Sequence, residues 1–366
     1  MRHLSILFFV FNFIFVLSQN YDSLETIANA LKNDSDRVNL FYKEGFEKRT
    51  IDVQYSYYCA KQAEYFAQII NKPYYTAKAN NLLGILYYRK GDLKKALFYH
   101  KTALSLRNSI NDIKGIALSQ TNLGNIYTDL QEYKLAEQAY LKALELNNNL
   151  NNQKQLANGL VNIGVLKVEQ NDLDAAVNYF NMANNKAKSI NDYEIQAMCL
   201  NNMADVYTAL HQFDEAIASA QNSIKLKTLM DNEVEMADSY LTIANAYMLK
   251  SNIDLALQHL AIADSIINKY DYLMAKLHAL IIKYNYYEKI KNYELAFKFL
   301  KDHTILQDSL DELNKGYSLE SNFDETPLKT ETRNSGLSAN YGIYYFFGLL
   351  FFVALAIVLF VFNFKR

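Results

Sequence analysis

The sequence predicts an all-α protein, a solenoid of helix hairpins, and three observations predict it. Turn material is scarce: 366 residues hold only 2 prolines and 11 glycines, too few for a turn-rich β architecture, while Ala, Leu, Lys, Glu and Gln favour helix. One pattern returns every 40 residues through the middle of the chain, as in Ala96, Ala136 and Ala176. Each copy places two helical stretches around a short polar turn. One such hairpin cannot bury its apolar faces alone, whereas stacked copies share a continuous core.

Composition narrows the partners. A formal net charge of -2 gives no electrostatic case for nucleic acid or anionic lipid. Cys59 and Cys199 lie more than three repeat lengths apart. Packed helices stand ~8–10 Å apart, so the pair is well beyond the ~7 Å that a disulfide spans, and both read as core thiols.

Both ends are apolar. Residues 1–18 open with Arg2 and His3, continue through an apolar run from Leu4 to Leu17 and end at Ser18, the pattern of a secretory signal peptide. Residues 342–362 carry no charge and, as a helix, reach about 31 Å, enough to cross a ~30 Å hydrocarbon core. Tyr344 and Tyr345 flank this transmembrane helix on one side, Lys365 and Arg366 on the other, so residues 363–366 form a cytosolic basic tail and the body lies across the membrane. Between the ends come a helical lead-in (19–35), the repeat array (36–310) and a flexible linker (311–341) rich in Ser, Thr, Asn and acids.

Four columns define the array. Ala96, Ala136, Ala176, Ala216, Ala256 and Ala296 form one; Ala63, Ala103, Ala143, Ala183, Ser223 and Ala263 form the second. The third is Gly84, Gly124, Gly164, Ala204 and Ala244, a close-contact point of the first helix, followed in most units by a tyrosine three residues on. Asn71, Asn111, Asn151, Asn191, Asp231 and Asp271 end each second helix. Inside the units, turns such as Gly91-Asp92-Leu93 and Asn171-Asp172-Leu173 give a residue able to leave the helix, an N-cap candidate and an apolar residue.

Leu-Gly-x-x-Tyr, then Ala, Tyr or Phe, and Ala, resembles the tetratricopeptide repeat. The 40-residue period exceeds that family's ~34, through longer helices or a longer link. The resemblance implies about seven repeats in a right-handed superhelix whose concave groove binds a peptide or protein. It implies that the groove is lined by Asn122, Asn162 and Asn202 before the Leu-Gly position and by Asn125, Asp205, Asn245 and Asn285 after it. Short amides can bond an extended peptide backbone or tie neighbouring repeats together. Lys78, Leu118, Asn158 and Met198 occupy the positions where some members grip a terminal carboxylate, and they do not form that clamp.

No metal-ligand spacing, dinucleotide fingerprint, Walker loop or nucleophile elbow occurs, so no cofactor, metal, small-molecule substrate or enzymatic activity is expected. The expected function is a membrane-anchored, extracytoplasmic protein-interaction module or scaffold. By resemblance to the periplasmic sensor half of bacterial signalling regulators, it would sit on the periplasmic side of the inner membrane. The alternative is a truncated or degenerate signalling receptor lacking its kinase or DNA-binding output domain.

Overall fold

The computed structural model describes residues 23–50 and 52–316. Among them are fifteen helices and no strand. A short helix, α1, covers residues 23–30. Seven pairs follow: α2 (Asp34–Lys48) with α3 (Val53–Ile70), α4 (Pro73–Arg89) with α5 (Leu93–Ser109), α6 (Ile113–Asp129) with α7 (Tyr133–Asn149), α8 (Gln153–Glu169) with α9 (Leu173–Ser189), α10 (Tyr193–Ala209) with α11 (Phe213–Leu229), α12 (Glu233–Leu249) with α13 (Ile253–Tyr270), and α14 (Leu273–Lys289) with α15 (Tyr293–Gly316).

The links set this regularity. From Asn71 to Lys291 one residue in every twenty has a positive φ, for example Asn111 at 55°, Gln131 at 58°, Asn151 at 51° and Asn171 at 58°. The left-handed residue turns the chain out of one helix, and its successor opens the next. At the α6–α7 link the Gln131 amide donates to Thr128 O at 2.9 Å and the Glu132 amide to Tyr127 O at 2.8 Å. The same residue position then caps the following helix in most units: Asp112 Oδ1 accepts from the Gly115 amide at 2.9 Å and Asp192 Oδ1 from the Ile195 amide at 3.1 Å. Three residues therefore finish one helix and start another. Most helices between them have 17 residues, so the long period comes from helices about three residues longer than a ~34-residue repeat would allow with these links.

Packing follows the columns. Ala96, Ala136, Ala176, Ala216 and Ala256 are fully buried, as are Ala63, Ala103 and Ala183, which lets helix backbones approach closely. The glycine column has a specific partner. A Cβ on Gly84 would stand 2.6 Å from the His100 ring, on Gly124 2.4 Å from Tyr140, and on Gly164 2.5 Å from Phe180. Where alanine replaces glycine, at Ala204 and Ala244, the residue in the aromatic's register is Ala220 or Leu260, within the same core cluster. Ring and glycine are exchanged together because the space between the two helices is fixed. Cys59 and Cys199 are free, fully buried thiols, and burial pushes Cys199 up to about 12.

The two helices of a unit do not play equal parts. Each first helix packs on its own second helix and on the first helix of the next unit, as α6 on α8 and α10 on α12, whereas successive second helices make no comparable contact. The first helices thus form the inner layer of the curve.

At the end of the array the structure corrects one boundary. The linker was expected from 311, but α15 continues to Gly316; no further helix among the described residues packs back on it, and Glu312, Leu313 and Lys315 are good helix formers. The expected signal peptide (1–18) and the expected transmembrane helix (342–362) lie outside the described residues. Among the described residues no helix is long and apolar enough to cross a membrane.

The glycine–aromatic pairing yields a prediction. Gly124→Ala should destabilise the protein by about 1–3 kcal/mol through overpacking. Adding Tyr140→Leu, which reproduces the Ala244–Leu260 pair, should give a total loss smaller than the sum of the two single losses in denaturant titrations; strict additivity would show that the ring does not rest on this glycine.

Candidate functional site

With one side of each first helix against its second helix and two edges against neighbouring first helices, a single strip is left for solvent. On α10 it is Met198, Asn202 and Asp205, at helical spacing between buried Ile195, Met203 and Val206. The equivalent residues are Leu118, Asn122 and Asn125 on α6, Asn158, Asn162 and Val165 on α8, and Asp238 and Asn245 on α12, where the middle position, Thr242, is buried. Side by side, the strips make a continuous inner surface.

All seven residues expected from the sequence lie on this surface, but they divide into two groups. Asn122 Nδ2 donates to Asn81 Oδ1 at 3.1 Å on the preceding first helix and lies 3.4 Å from His100 Nδ1. Asn125 Oδ1 accepts from the Tyr140 hydroxyl at 2.8 Å, within its own hairpin. Asp205 Oδ1 accepts from Thr242 Oγ1 at 2.8 Å, on the next first helix. Asn122 and Asp205 link neighbouring first helices, Asn125 braces its own hairpin, and Asp205 stays exposed on the surface. Asn162, Asn202 and Asn245 are half-buried and Asn285 is exposed, and none of the four makes a side-chain hydrogen bond to another described residue. Their amides remain available to a ligand.

Two buried cations support the surface from beneath. Arg107, from α5, donates through Nη1 to Gly115 O at 3.0 Å, Ser119 Oγ at 2.6 Å and Asn81 Oδ1 at 3.5 Å. Three units later Lys227, from α11, donates to Glu235 O at 2.7 Å and Ser239 Oγ at 3.0 Å, and Ser239 in turn donates to Asn201 Oδ1 at 2.7 Å. Both cations sit at the same register, 5% and 4% exposed, and burial lowers both pKa values. Neither has a carboxylate within ion-pair distance among the described residues. Their charge is met by neutral oxygens, which links α5 to α4 and α6 directly and α11 to α12 directly and to α10 through Ser239.

Electrostatics along the strip are uneven. Asp205 is open to solvent yet enclosed by protein on its other sides, and this desolvation raises its pKa above the ordinary range, against the Thr242 hydrogen bond and nearby His278. Asp238 is raised by burial as well, although it accepts from the Tyr272 hydroxyl at 3.0 Å. His100, buried under Gly84, is pushed down to about 4 by burial and by Arg107. Among the described residues there is no group of three His, Cys, Asp or Glu able to hold a metal ion.

The geometry agrees with the comparisons. Tetratricopeptide-repeat models match residues 77–110, 115–189 and 196–228. The helical array is a tetratricopeptide-repeat array. No curated protein matches the chain. Solved structures similar to it include a Rap protein complexed with competence and sporulation factor (16% identity, 80% of each chain, TM-score 0.62). Another is NprR in complex with its cognate peptide NprX (18% identity, 84% of this chain and 90% of that one, TM-score 0.55). A third is aspartyl phosphate phosphatase F from Bacillus subtilis (14% identity, 74% of this chain and 70% of that one, TM-score 0.59). At these identities the likeness shows the tetratricopeptide-repeat fold.

Sequence alone places Leu118 and Met198 at the family's carboxylate-grip positions without giving them an apolar role, and it does not single out Val165. Leu118, Val165 and Met198 are exposed on the inner strips of α6, α8 and α10, although by residue type they read as core. Their spacing against the small-residue columns was the signal that could have separated them, because each falls outside the buried stripe of its helix.

The low His100 pKa gives a prediction with a defined sign. Between an ordinary value of about 6.5 and about 4, the unfolded chain binds a proton that the folded chain excludes, so the stability tied to this residue is lost as pH falls through that window. His100→Phe, which copies the Gly164–Phe180 pair, should show a flatter stability profile between pH 6.5 and 4 than the parent in denaturant titrations at each pH. Parallel profiles would place the proton sensitivity elsewhere.

Proposed function

We propose that this chain is a protein-interaction module that holds a peptide or an extended protein segment on the inner face of its tetratricopeptide-repeat array. The observation that carries this reading is the continuous strip itself: free amides at Asn162, Asn202, Asn245 and Asn285 alternate with exposed apolar side chains at Leu118, Val165 and Met198. Amides that carry both a donor and an acceptor can bond a peptide backbone in any sequence context, and exposed apolar side chains supply area to bury. The solved structures of Rap with competence and sporulation factor and of NprR with NprX support the reading by fold.

The proposal extends to location. The apolar ends of the sequence support an array held on the extracytoplasmic side of a bacterial inner membrane by a C-terminal helix. In that setting the module acts as a scaffold through a membrane or periplasmic partner.

A photo-crosslinking residue placed at Asn202 or Asn245 in the full-length chain should capture a defined partner in cells, whereas the same residue at Lys142, on the exposed side of α7, should not. Equal labelling from both faces, or none from either, would remove the inner face as the binding surface.

A further inference from the structure

We propose that the inner face binds its peptide in one direction, with a lysine or arginine side chain against Asp205 and Asp238 and an acidic side chain toward α4. This rests on the reading of the inner face as a peptide groove and adds the chemistry and polarity of the occupant.

The unpaired charges on the strip are segregated. At the α4 end the cation is Lys78, half-buried, bonded to Asn39 Oδ1 at 2.6 Å with its ammonium 4.6 Å from the Tyr42 ring centre; it has no carboxylate within ion-pair distance among the described residues. Arg107 reaches Asn81 on the same helix and bonds only to neutral oxygens, with Asp112 the carboxylate nearest in its field, so Lys78 is the surface charge at this end. Further along the array the charges are Asp205 and Asp238, on neighbouring first helices, with His278 of α14 acting on both. Each accepts a hydroxyl, from Thr242 and Tyr272, and neither has an ion-pair partner among the described residues. The buried Lys227 and the imidazole of His278 act on both carboxylates without forming an ion pair with either. Between the ends, Lys154 is already paired with Asp192 at 2.8 Å and Glu194 at 4.0 Å, and the strip of α8 is neutral.

A ligand cation at Asp205 and Asp238 would restore in the enclosed site the partner that both carboxylates lack, and charge-assisted hydrogen bonds there are stronger than neutral ones. Placed at the Lys78 end, the same cation would meet like charge. Complementarity therefore selects direction as well as composition. Helices spaced ~8–10 Å apart put Lys78 about 25–40 Å from the two carboxylates, which an extended peptide covers in about eight to twelve residues. The occupant is a peptide of that length with opposite charges toward its two ends.

The test pans a random dodecapeptide library, with blocked termini, on the immobilised full-length chain. Recovered peptides should carry Lys or Arg near one end and Asp or Glu near the other. Against the selected peptide, Asp205→Asn with Asp238→Asn should weaken binding about tenfold and flatten its salt dependence, with the thermal melt retained as the check on folding. Panning on Lys78→Glu should replace the acidic end of the recovered peptides by a basic one. Peptides recovered without charge enrichment, or with enrichment that none of the substitutions alters, would overturn the polarity while leaving the groove. A library that yields no peptide at all would overturn the groove reading and the polarity with it.

Discussion

A left-handed residue every twenty positions is the constraint on which the rest of this structure depends. A non-glycine residue held at positive φ is costly, and it persists here because the turn it makes satisfies the end of one helix and lets the next residue cap another. Asparagine and aspartate fill every such position between units, from Asn71 to Asp271, whereas the turns inside units also use Gln131, His211, Ser251 and Lys291. The equal intervals keep the helices in one register. That register is what aligns Asn122, Asn162 and Asn202 across three neighbouring first helices.

Within the register, two devices fix how the layers meet. Rings from the second helices lie on glycines of the first, which sets the approach of the helices within a unit. Arg107 bonds to oxygens on two successive first helices, and Lys227 bonds to α12, whose Ser239 carries the link on to Asn201 of α10, which sets the approach between units. The same atoms reach the binding face, since Asn81 accepts from both Arg107 and Asn122. Packing and recognition are therefore coupled here, and the free amides of α8 and α10 stand between two such braced regions.

Much of this was legible in the sequence because the signals are periodic. The alanine columns, the glycine column and the polar residues at the helix ends each have a local physical cause that survives in every copy. The choice between longer helices and longer links was not legible, since both give the same period; the three-residue links decide it. Nor could the sequence divide the asparagines. Whether an amide such as Asn122 meets Asn81 or a ligand depends on a neighbour forty-one residues away, and residue type carries no trace of it. Val165 was hidden for the opposite reason, because an apolar residue on a half-buried helix looks like core until the buried stripe is drawn, whereas Leu118 and Met198 had a groove position but no role there.

The most direct test of this account replaces the left-handed residues least suited to their conformation. A chain with Gln131→Gly, His211→Gly and Lys291→Gly relieves side-chain strain at three links while leaving every helix interior unchanged. Its denaturation midpoint, measured against the parent, should rise, with a gain on the order of 1 kcal/mol per site in a residue type that is otherwise destabilising. A lower midpoint would mean that these residues are not held at positive φ, and the twenty-residue register would lose its physical basis.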